Sequence, residues 1–123
     1  MQVFILGDAD RVREKVERAL LDGNLGEVTY FSRNLTSAVE ALVRDVEQAF
    51  EAITVFAGGD DVCFRAPRHR YSSGSLFEMA QKFAAATSCT ISFGVGTTIQ
   101  CAYLNLRRAK SRGGDQVVDN ENA

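Results

Sequence analysis

Two β-rich runs, Ile53 to Ala57 and Val62 to Ala66, flank the segment Gly58-Gly59-Asp60-Asp61. Short glycine-containing connections between such runs are typical of β-hairpins, whose two strands pair antiparallel. This hairpin constrains the fold most, because it places an antiparallel pair in the middle of a chain of 123 residues. A chain of that length is sufficient for one domain with its own buried core.

The segments around the hairpin alternate between strand and helix patterns. Apolar runs predict further strands at Gln2 to Gly7, Glu27 to Phe31, Thr90 to Val95 and, at an edge, Gln116 to Val118. Helices are predicted after the N-cap candidate Asp10, along the apolar stripe from Leu35 to Phe50, after Ser75, and after Thr97 or Thr98. Two of these helices carry capping-box candidates, which are Ser37 with Glu40 and Ser75 with Glu78.

The predicted order is β-α-β-α-β-β-α-β-α-β. It indicates an α+β fold in which helices pack on one side of a mostly antiparallel sheet, as in ferredoxin-like and palm domains. We expect a single domain over residues 1–118 and a frayed tail over residues 119–123.

Composition and charge exclude several functional classes. A formal charge of -2 argues against a strongly basic nucleic-acid binder, so no direct DNA binding is expected. Cys63, Cys89 and Cys101 lack metal-site spacing and indicate reduced thiols in a cytoplasmic protein. No apolar run approaches the roughly twenty residues of a membrane span, so no membrane insertion is expected. The single histidine, His69, gives little support to a zinc or serine-histidine hydrolase site.

Two carboxylate clusters lie at predicted strand ends. Asp8 and Asp10 follow the first strand, and Asp60 and Asp61 lie in the hairpin. If these strands are neighbours, Asp8 and Asp60 could share divalent cations such as Mg²⁺, which prefers oxygen ligands. Each cluster also has a purely structural interpretation, as a hairpin turn and as a helix cap.

The C-terminal half resembles the end of GGDEF-type cyclases. It contains Thr90-Ile91-Ser92-Phe93-Gly94-Val95 and later Ala109-Lys110-Ser111-Arg112-Gly113, where those cyclases read approximately T-x-S-x-G-V and A-K-x-x-G. Asp8 and the hairpin extend the match in the right order over nearly the whole chain. The double-aspartate hairpin, with no regulatory domain beside it, is even more similar to the minimal CRISPR polymerase family. That family is a single palm domain similar to the cyclic-oligonucleotide-forming subunit of type III CRISPR complexes.

The resemblance implies a metal site with two Mg²⁺ or Mn²⁺ ions. Asp8 and Asp60 would be the principal ligands, and the Ala9 carbonyl would also face a metal. Asp61 would be an auxiliary ligand or the group that polarises the attacking hydroxyl. All three aspartates are therefore candidate catalytic residues.

The resemblance also implies nucleotide contacts. Backbone amides at the start of the first helix would bind a triphosphate, and these belong to Ala9, Asp10, Arg11 and Val12. Gly58 and Gly59 would let the nucleotide approach the backbone closely. Lys110 would reach the triphosphate, although without the resemblance it would be interpreted as a solvated helix position.

Several positions depart from the GGDEF pattern. Asp61 and Val62 replace Glu and Phe, and Arg11-Val12-Arg13 replaces a Phe-rich segment. Ala49 and Ala52 stand where the R-x-x-D element of feedback inhibition would lie. These departures leave guanine selectivity and feedback inhibition unsupported, and the CRISPR polymerase resemblance implies ATP.

The implied reaction is attack of a ribose hydroxyl on an α-phosphate, giving a cyclic dinucleotide or small cyclic oligonucleotide in bacterial antiviral defence. A separate effector, often membrane-bound, would sense the product. One small palm offers one nucleotide site, so a homodimer or higher homo-oligomer is expected. Two rival hypotheses are a mononucleotide cyclase and a catalytically silent nucleotide-binding sensor.

The loop Arg68-His69-Arg70-Tyr71 is basic and aromatic. It has two interpretations, which are contact with a nucleotide or second protomer and an ordinary exposed loop.

Overall fold

The computed structural model describes residues 1–119. In chain order the elements are β1 (Gln2–Ala9), α1 (Val12–Leu21), α2 (Leu25–Phe50), β2 (Ile53–Gly58), β3 (Asp61–Pro67), the 3-10 helix Arg68–Arg70, α3 (Ser73–Thr87), β4 (Ile91–Gly96), α4 (Ile99–Ser111) and β5 (Val117–Val118). No helix within residues 1–119 is both long and apolar enough to cross a membrane. The three cysteines are unpaired, as predicted. Of the predicted frayed tail, residues 120–123 lie outside the described part of the chain.

The five strands form one sheet in the order β2-β3-β1-β4-β5. β1 lies at the centre and pairs antiparallel with both β3 and β4, whereas β5 pairs parallel with β4. The predicted α+β fold with a mostly antiparallel sheet is confirmed. The predicted hairpin is also confirmed, with Gly58 opposite Asp61 at its tip.

The strand predicted at Glu27 to Phe31 is wrong, because this segment belongs to α2. The side chain of Asn24 accepts a hydrogen bond from the amide of Glu27 at 3.0 Å, and this cap starts the helix at Leu25. α2 then buries one stripe at helical spacing, formed by Phe31, Ala38, Val39, Leu42, Val46 and Phe50. An apolar run of five residues fits a buried strand and a buried turn of helix equally well. The cap at Asn24 therefore determines that this segment is helical.

The predicted start is right for α4 but not for α2 or α3. Thr98 accepts a hydrogen bond from the amide of Cys101 at 3.1 Å and caps α4. α3 begins earlier than predicted, because the Ser72 hydroxyl accepts a hydrogen bond from the amide of Ser75 at 3.2 Å. Both capping-box candidates, Ser37 with Glu40 and Ser75 with Glu78, therefore lie inside helices.

Helices cover both faces of the sheet, which corrects the prediction that they lie on one side. α2 and α3 pack on the face that carries Ile5, Val62 and Phe93. α4 packs on the other face, against β4 and β1. Because side chains alternate along a strand, Gly94 faces α4 and lets the helix backbone approach directly. β4 is buried along its whole length as a result.

Candidate active site

Three carboxylates converge where the end of β1 meets the β2-β3 turn. Asp8 lies directly opposite Asp61 in the β1-β3 ladder. The amide of Ala9 donates a hydrogen bond to the carbonyl of Asp60 at 3.0 Å, which fixes the turn against β1. Carboxylate oxygens of Asp8, Asp60 and Asp61 all lie within 4.8 Å of one another. The structure thus brings Asp8 of the first cluster together with Asp60 and Asp61 of the second, as the sequence predicted on the condition that the two strands are neighbours.

Two glycines shape the turn that carries Asp60. Gly59 has φ +59°, a left-handed backbone conformation that residues other than glycine rarely adopt. A Cβ added at Gly58 or Gly59 would meet no protein atom within 4 Å. The surface above these glycines is therefore open, which leaves room for a ligand to approach the backbone.

Burial and, to a smaller extent, nearby negative charge disfavour the ionised forms of Asp8 and Asp60. Burial, together with a side-chain hydrogen bond between Asp8 and Asp61, raises the pKa of Asp8 from 3.8 to about 6, despite the opposing effect of Lys110. Burial and the charge of Asp8 also raise the pKa of Asp60. The raised pKa values indicate that Lys110 only partly compensates the negative charge of Asp8 and Asp60.

The donor set fits a hard divalent cation. Three carboxylates within reach of one ion are the ligand type that Mg²⁺ and Mn²⁺ prefer. A bound cation would also stabilise the ionised forms of Asp8 and Asp60, which burial chiefly and nearby negative charge disfavour. Asp61 is the most exposed of the three and lies on the solvent side of the cluster.

Asp8→Asn is expected to raise the melting temperature of the metal-free protein at about pH 8. The pKa of Asp8 in the fold, about 6, exceeds its ordinary value of 3.8, so wild type loses stability as pH rises through this interval. Asparagine has the same shape and no such loss. Thermal unfolding in EDTA should therefore show a higher melting temperature for the variant at about pH 8 and a much smaller difference at about pH 4.

A matched control is Asp45→Asn, which neutralises the carboxylate of an exposed ion pair with Lys82 on α3. Exposed pairs contribute little to stability, so this variant should follow wild type at both pH values. A lower melting temperature for Asp8→Asn at high pH would contradict the raised pKa of Asp8.

Lys110, near the end of α4, reaches into the same region. Its ammonium lies 2.6 Å from Oδ1 of Asp10 and 3.2 Å from Oδ2 of Asp8. It also donates to the carbonyls of Asp8 at 2.9 Å and Ala9 at 3.2 Å. The solvated-surface interpretation of Lys110 is therefore wrong, since the ammonium lies beside the carboxylate cluster. Its predicted contact with a triphosphate stays a prediction.

The sequence suggested that Asp10 caps α1, and this prediction is wrong. The residue at the cap position is Arg11, with φ 59° and no side-chain cap. The Asp10 carboxylate is instead buried and accepts hydrogen bonds from the hydroxyl of Thr90 at 2.7 Å, the hydroxyl of Ser92 at 2.9 Å and the amide of Asp115 at 3.0 Å. Burial alone would raise the pKa of Asp10, but the hydrogen bonds, that from Lys110 foremost, outweigh it and lower the pKa.

This Asp10 cluster is the part of the site that sequence reasoning missed. Its hydroxyl donors, Thr90 and Ser92, are the polar positions of the T-x-S pattern. Residues two apart in a strand point to the same face, so the pattern predicts two hydroxyls side by side. That signal identifies the donors but gives no indication of their acceptor, which lies 80 residues away from Thr90.

Some of the backbone amides predicted to bind phosphate already donate hydrogen bonds within the fold. The amide of Ala9 donates to Asp60, and the amide of Asp10 donates to the carbonyl of Thr90 at 2.8 Å. Both amides thus have main-chain acceptors. Of the four amides predicted to bind phosphate, those of Arg11 and Val12 at the start of α1 are the better candidates.

The basic loop Arg68–Tyr71 lies at the other end of β3. The seven residues of β3 separate it from Asp60, which corresponds to about 20 Å of extended strand. Arg70 pairs with Glu51 at 2.6 Å, and the ring of Tyr71 packs edge-on against Phe50 with centroids 5.6 Å apart. The Tyr71 hydroxyl donates to Asp119 at 2.9 Å. This loop does not contribute to the carboxylate site of the same chain.

Solved structures with a similar fold include chains of a Csm1-Csm4 cassette and a GGDEF domain. A chain of the Csm1-Csm4 cassette in complex with pppApA has a TM-score of 0.72 at 19% identity, over 94% of this chain and 20% of that chain. The same cassette in complex with cA4 gives 0.68 at 18% identity, over the same shares. The GGDEF domain of DgcB from Caulobacter crescentus, in complex with c-di-GMP, gives 0.63 at 13% identity, over 95% of this chain and 76% of that chain. The palm-like fold is confirmed, and this chain spans about a fifth of the cassette chains.

Sequence comparison identifies the family. A search of curated proteins found no significant match. The profile of the minimal CRISPR polymerase domain, mCpol, matches residues 4–120. This span includes Asp8, Asp60, Asp61 and Lys110, and it leaves only the extreme ends of the chain unmatched. The chain belongs to the mCpol family.

Proposed function

We propose that the chain is a metal-dependent nucleotidyltransferase of the palm type that condenses NTPs into a cyclic dinucleotide or a small cyclic oligonucleotide. The observation that carries this proposal is the convergence of Asp8, Asp60 and Asp61 at one end of the sheet. Membership of the mCpol family supports the same class of reaction. ATP is the favoured substrate, because similar structures were solved with pppApA and cA4 and the guanine-associated GGDEF features are missing.

In this proposal Asp8 and Asp60 hold two Mg²⁺ or Mn²⁺ ions. When bound, the ions lower the pKa of the attacking hydroxyl and offset charge on the leaving pyrophosphate. Asp61 is exposed beside them, and in this proposal it is an auxiliary ligand or the group that polarises the hydroxyl. The open surface above Gly58 and Gly59 leaves room for the nucleotide. The protein thus contributes positioning and electrostatics rather than covalent chemistry.

Product analysis tests this function directly. The protein is incubated with each labelled NTP and Mg²⁺ or Mn²⁺, and the products are identified by mass spectrometry. We expect a cyclic product built from adenosine, formed preferentially when ATP and GTP compete at equal concentration. Cyclic AMP as the sole product would favour the mononucleotide cyclase, and binding without turnover would favour the silent sensor. Incorporation of guanosine alone would refute the ATP preference but leave the cyclase assignment intact.

Catalysis is proposed to need two copies of the chain. Within residues 1–119, Asp8, Asp60 and Asp61 form the only group of three potential metal ligands, so this part of the chain offers one such site. Joining two nucleotides then requires a second copy whose site faces the first in a two-fold arrangement. We further propose that the product acts as a messenger in antiviral defence, sensed by a separate effector.

Activity is expected to rise faster than linearly with enzyme concentration when the protomers are dilute. Asp60→Asn protomers mixed with wild type should suppress the cyclic product, because a mixed pair has one damaged site. The control is Asp45→Asn added in the same amount, which leaves both sites intact. Strictly linear activity at concentrations where crosslinking with NTP present shows only monomer would rule out the dimeric mechanism.

A further inference from the structure

One positive charge in the site is shared between two carboxylates. The Lys110 ammonium is closer to Asp10, at 2.6 Å, than to Asp8, at 3.2 Å. Asp8 belongs to the group of three potential metal ligands, whereas Asp10 does not. The lysine therefore links a carboxylate of the metal site to one outside it.

The two carboxylates differ in how firmly the fold holds them. The side chain of Asp10 is 8% exposed and that of Asp8 is 34% exposed. Both oxygens of Asp10 are fixed by Thr90, Ser92 and the amide of Asp115. A Cβ at Gly114 would lie within 2.8 Å of both oxygens, so the turn closes tightly over this carboxylate. Asp10 is thus a buried, hydrogen-bonded partner for the ammonium, while Asp8 remains accessible from solvent.

The ammonium is also oriented by the backbone. Carbonyls of Asp8 and Ala9 accept hydrogen bonds from Nζ at 2.9 and 3.2 Å. Together with Oδ1 of Asp10, these acceptors match the three N–H donors of a lysine ammonium. These three acceptors can satisfy the ammonium by themselves, although the Asp8 carboxylate also lies 3.2 Å from it.

We propose that Asp10 is a positioning residue for metal binding, which retains the Lys110 ammonium and so leaves the Asp8 carboxylate available to a divalent cation. Without the charge of Asp10, the ammonium pairs more strongly with Asp8 and competes with the cation for it. This inference rests on the metal site of the proposed function. It assigns to Asp10 an indirect role, exerted through Lys110.

Mn²⁺ binding, measured by electron paramagnetic resonance without nucleotide, tests this role independently of turnover. Asp10→Asn should weaken Mn²⁺ binding by about tenfold, the lower end of effects seen when partners of metal ligands are changed. Lys110→Met removes the competing charge, so it should bind Mn²⁺ as tightly as wild type or more tightly. In the double variant Asp10→Asn with Lys110→Met, binding should match that of Lys110→Met, because Asp10 acts only through the lysine.

The double variant separates this role from a direct effect of charge. If Asp10→Asn weakened Mn²⁺ binding equally with and without Lys110, its carboxylate would act through space, and the proposal would be overturned. Unchanged Mn²⁺ affinity in a folded Asp10→Asn protein would overturn it as well. Should Asp10→Asn fail to fold, Lys110→Met alone decides, since weaker Mn²⁺ binding than wild type contradicts the proposed competition.

Two further variants distinguish this inference from the proposed function. Asp8→Asn should strongly reduce Mn²⁺ binding, whereas Asp45→Asn, which disrupts an Asp-Lys pair between α2 and α3, should not. Unchanged binding in Asp8→Asn would refute the metal site itself. Loss in Asp8→Asn with none in Asp10→Asn would refute only the role of Asp10.

Discussion

Asp60→Asn is expected to reduce nucleotide condensation by about a thousandfold or more, with little loss of stability. The amide keeps the shape of the carboxylate but removes the negative charge that would hold the metal ions beside Asp8 and Asp61. Metal ions contribute several kcal/mol to transition-state stabilisation, and each 1.36 kcal/mol corresponds to about a factor of ten in rate. Initial rates of product formation from ATP, measured at saturating Mg²⁺, provide the test.

Melting temperature separates loss of chemistry from loss of fold in this variant. Burial and the charge of Asp8 raise the pKa of Asp60, so its ionised form is disfavoured by the fold. The metal-free Asp60→Asn protein should therefore melt at or above the wild-type temperature. Asp45→Asn is the matched control and should retain wild-type rates. A folded Asp60→Asn protein with the wild-type rate would show that this carboxylate does not hold a required metal.

The carboxylate cluster was predictable because its determinants are local. The hairpin is predicted by the Gly58-Gly59-Asp60-Asp61 turn between two β-rich runs. Asp8 comes directly after the apolar run that predicts β1. One further step, that β1 and β3 are neighbours, brings the two clusters together. The family resemblance indicated that these motifs belong to one site. The antiparallel pairing of β1 with β3 places Asp8 opposite Asp61.

The Asp10 cluster was not predictable in the same way. Its carboxylate accepts hydrogen bonds from Thr90 just before β4, from Ser92 in β4, from α4 and from the turn before β5. These donors lie between 80 and 105 residues along the chain. Locally, an aspartate before a helix has the pattern of an N-cap, and only the tertiary structure shows that it faces Lys110 instead. The error at Glu27 to Phe31 has a different cause, because there a local contact, the cap of Asn24 on the amide of Glu27, starts a helix.

Helices cover both faces of the sheet because the backbone of α4 packs directly on Gly94. The apolar periodicity of the sequence does not predict this contact. Gly94 was recognised only as part of a family motif. Its structural role is to admit the backbone of α4, the helix that carries Lys110 to the site. Placement of the lysine therefore depends on a glycine in the centre of a buried strand.

Gly94→Ala is accordingly expected to be severely destabilising. A Cβ at this position would lie 2.1 Å from both the carbonyl oxygen of Ala102 and the amide nitrogen of Leu106. These are backbone atoms of α4, so no side-chain rotation can relieve the overlap. Overpacking usually costs about 1 to 3 kcal/mol, and a clash with helix backbone belongs at or above the upper end. The melting temperature should fall by roughly 10 °C or more, measured by circular dichroism.

Gly74→Ala is the matched control, because it makes the same chemical change in the first turn of α3. There a Cβ would meet only the Ser72 hydroxyl, at 3.9 Å, which is an ordinary contact. Both substitutions restrict the unfolded chain equally, an effect that stabilises by about 0.4 to 1 kcal/mol where the fold accepts the Cβ. Gly74→Ala should thus melt at or slightly above the wild-type temperature, and the difference between the two variants isolates the cost of the contact with α4. Near-identical melting of both variants would mean that α4 can move away from β4 at little cost, and that the position of Lys110 is not fixed by this contact.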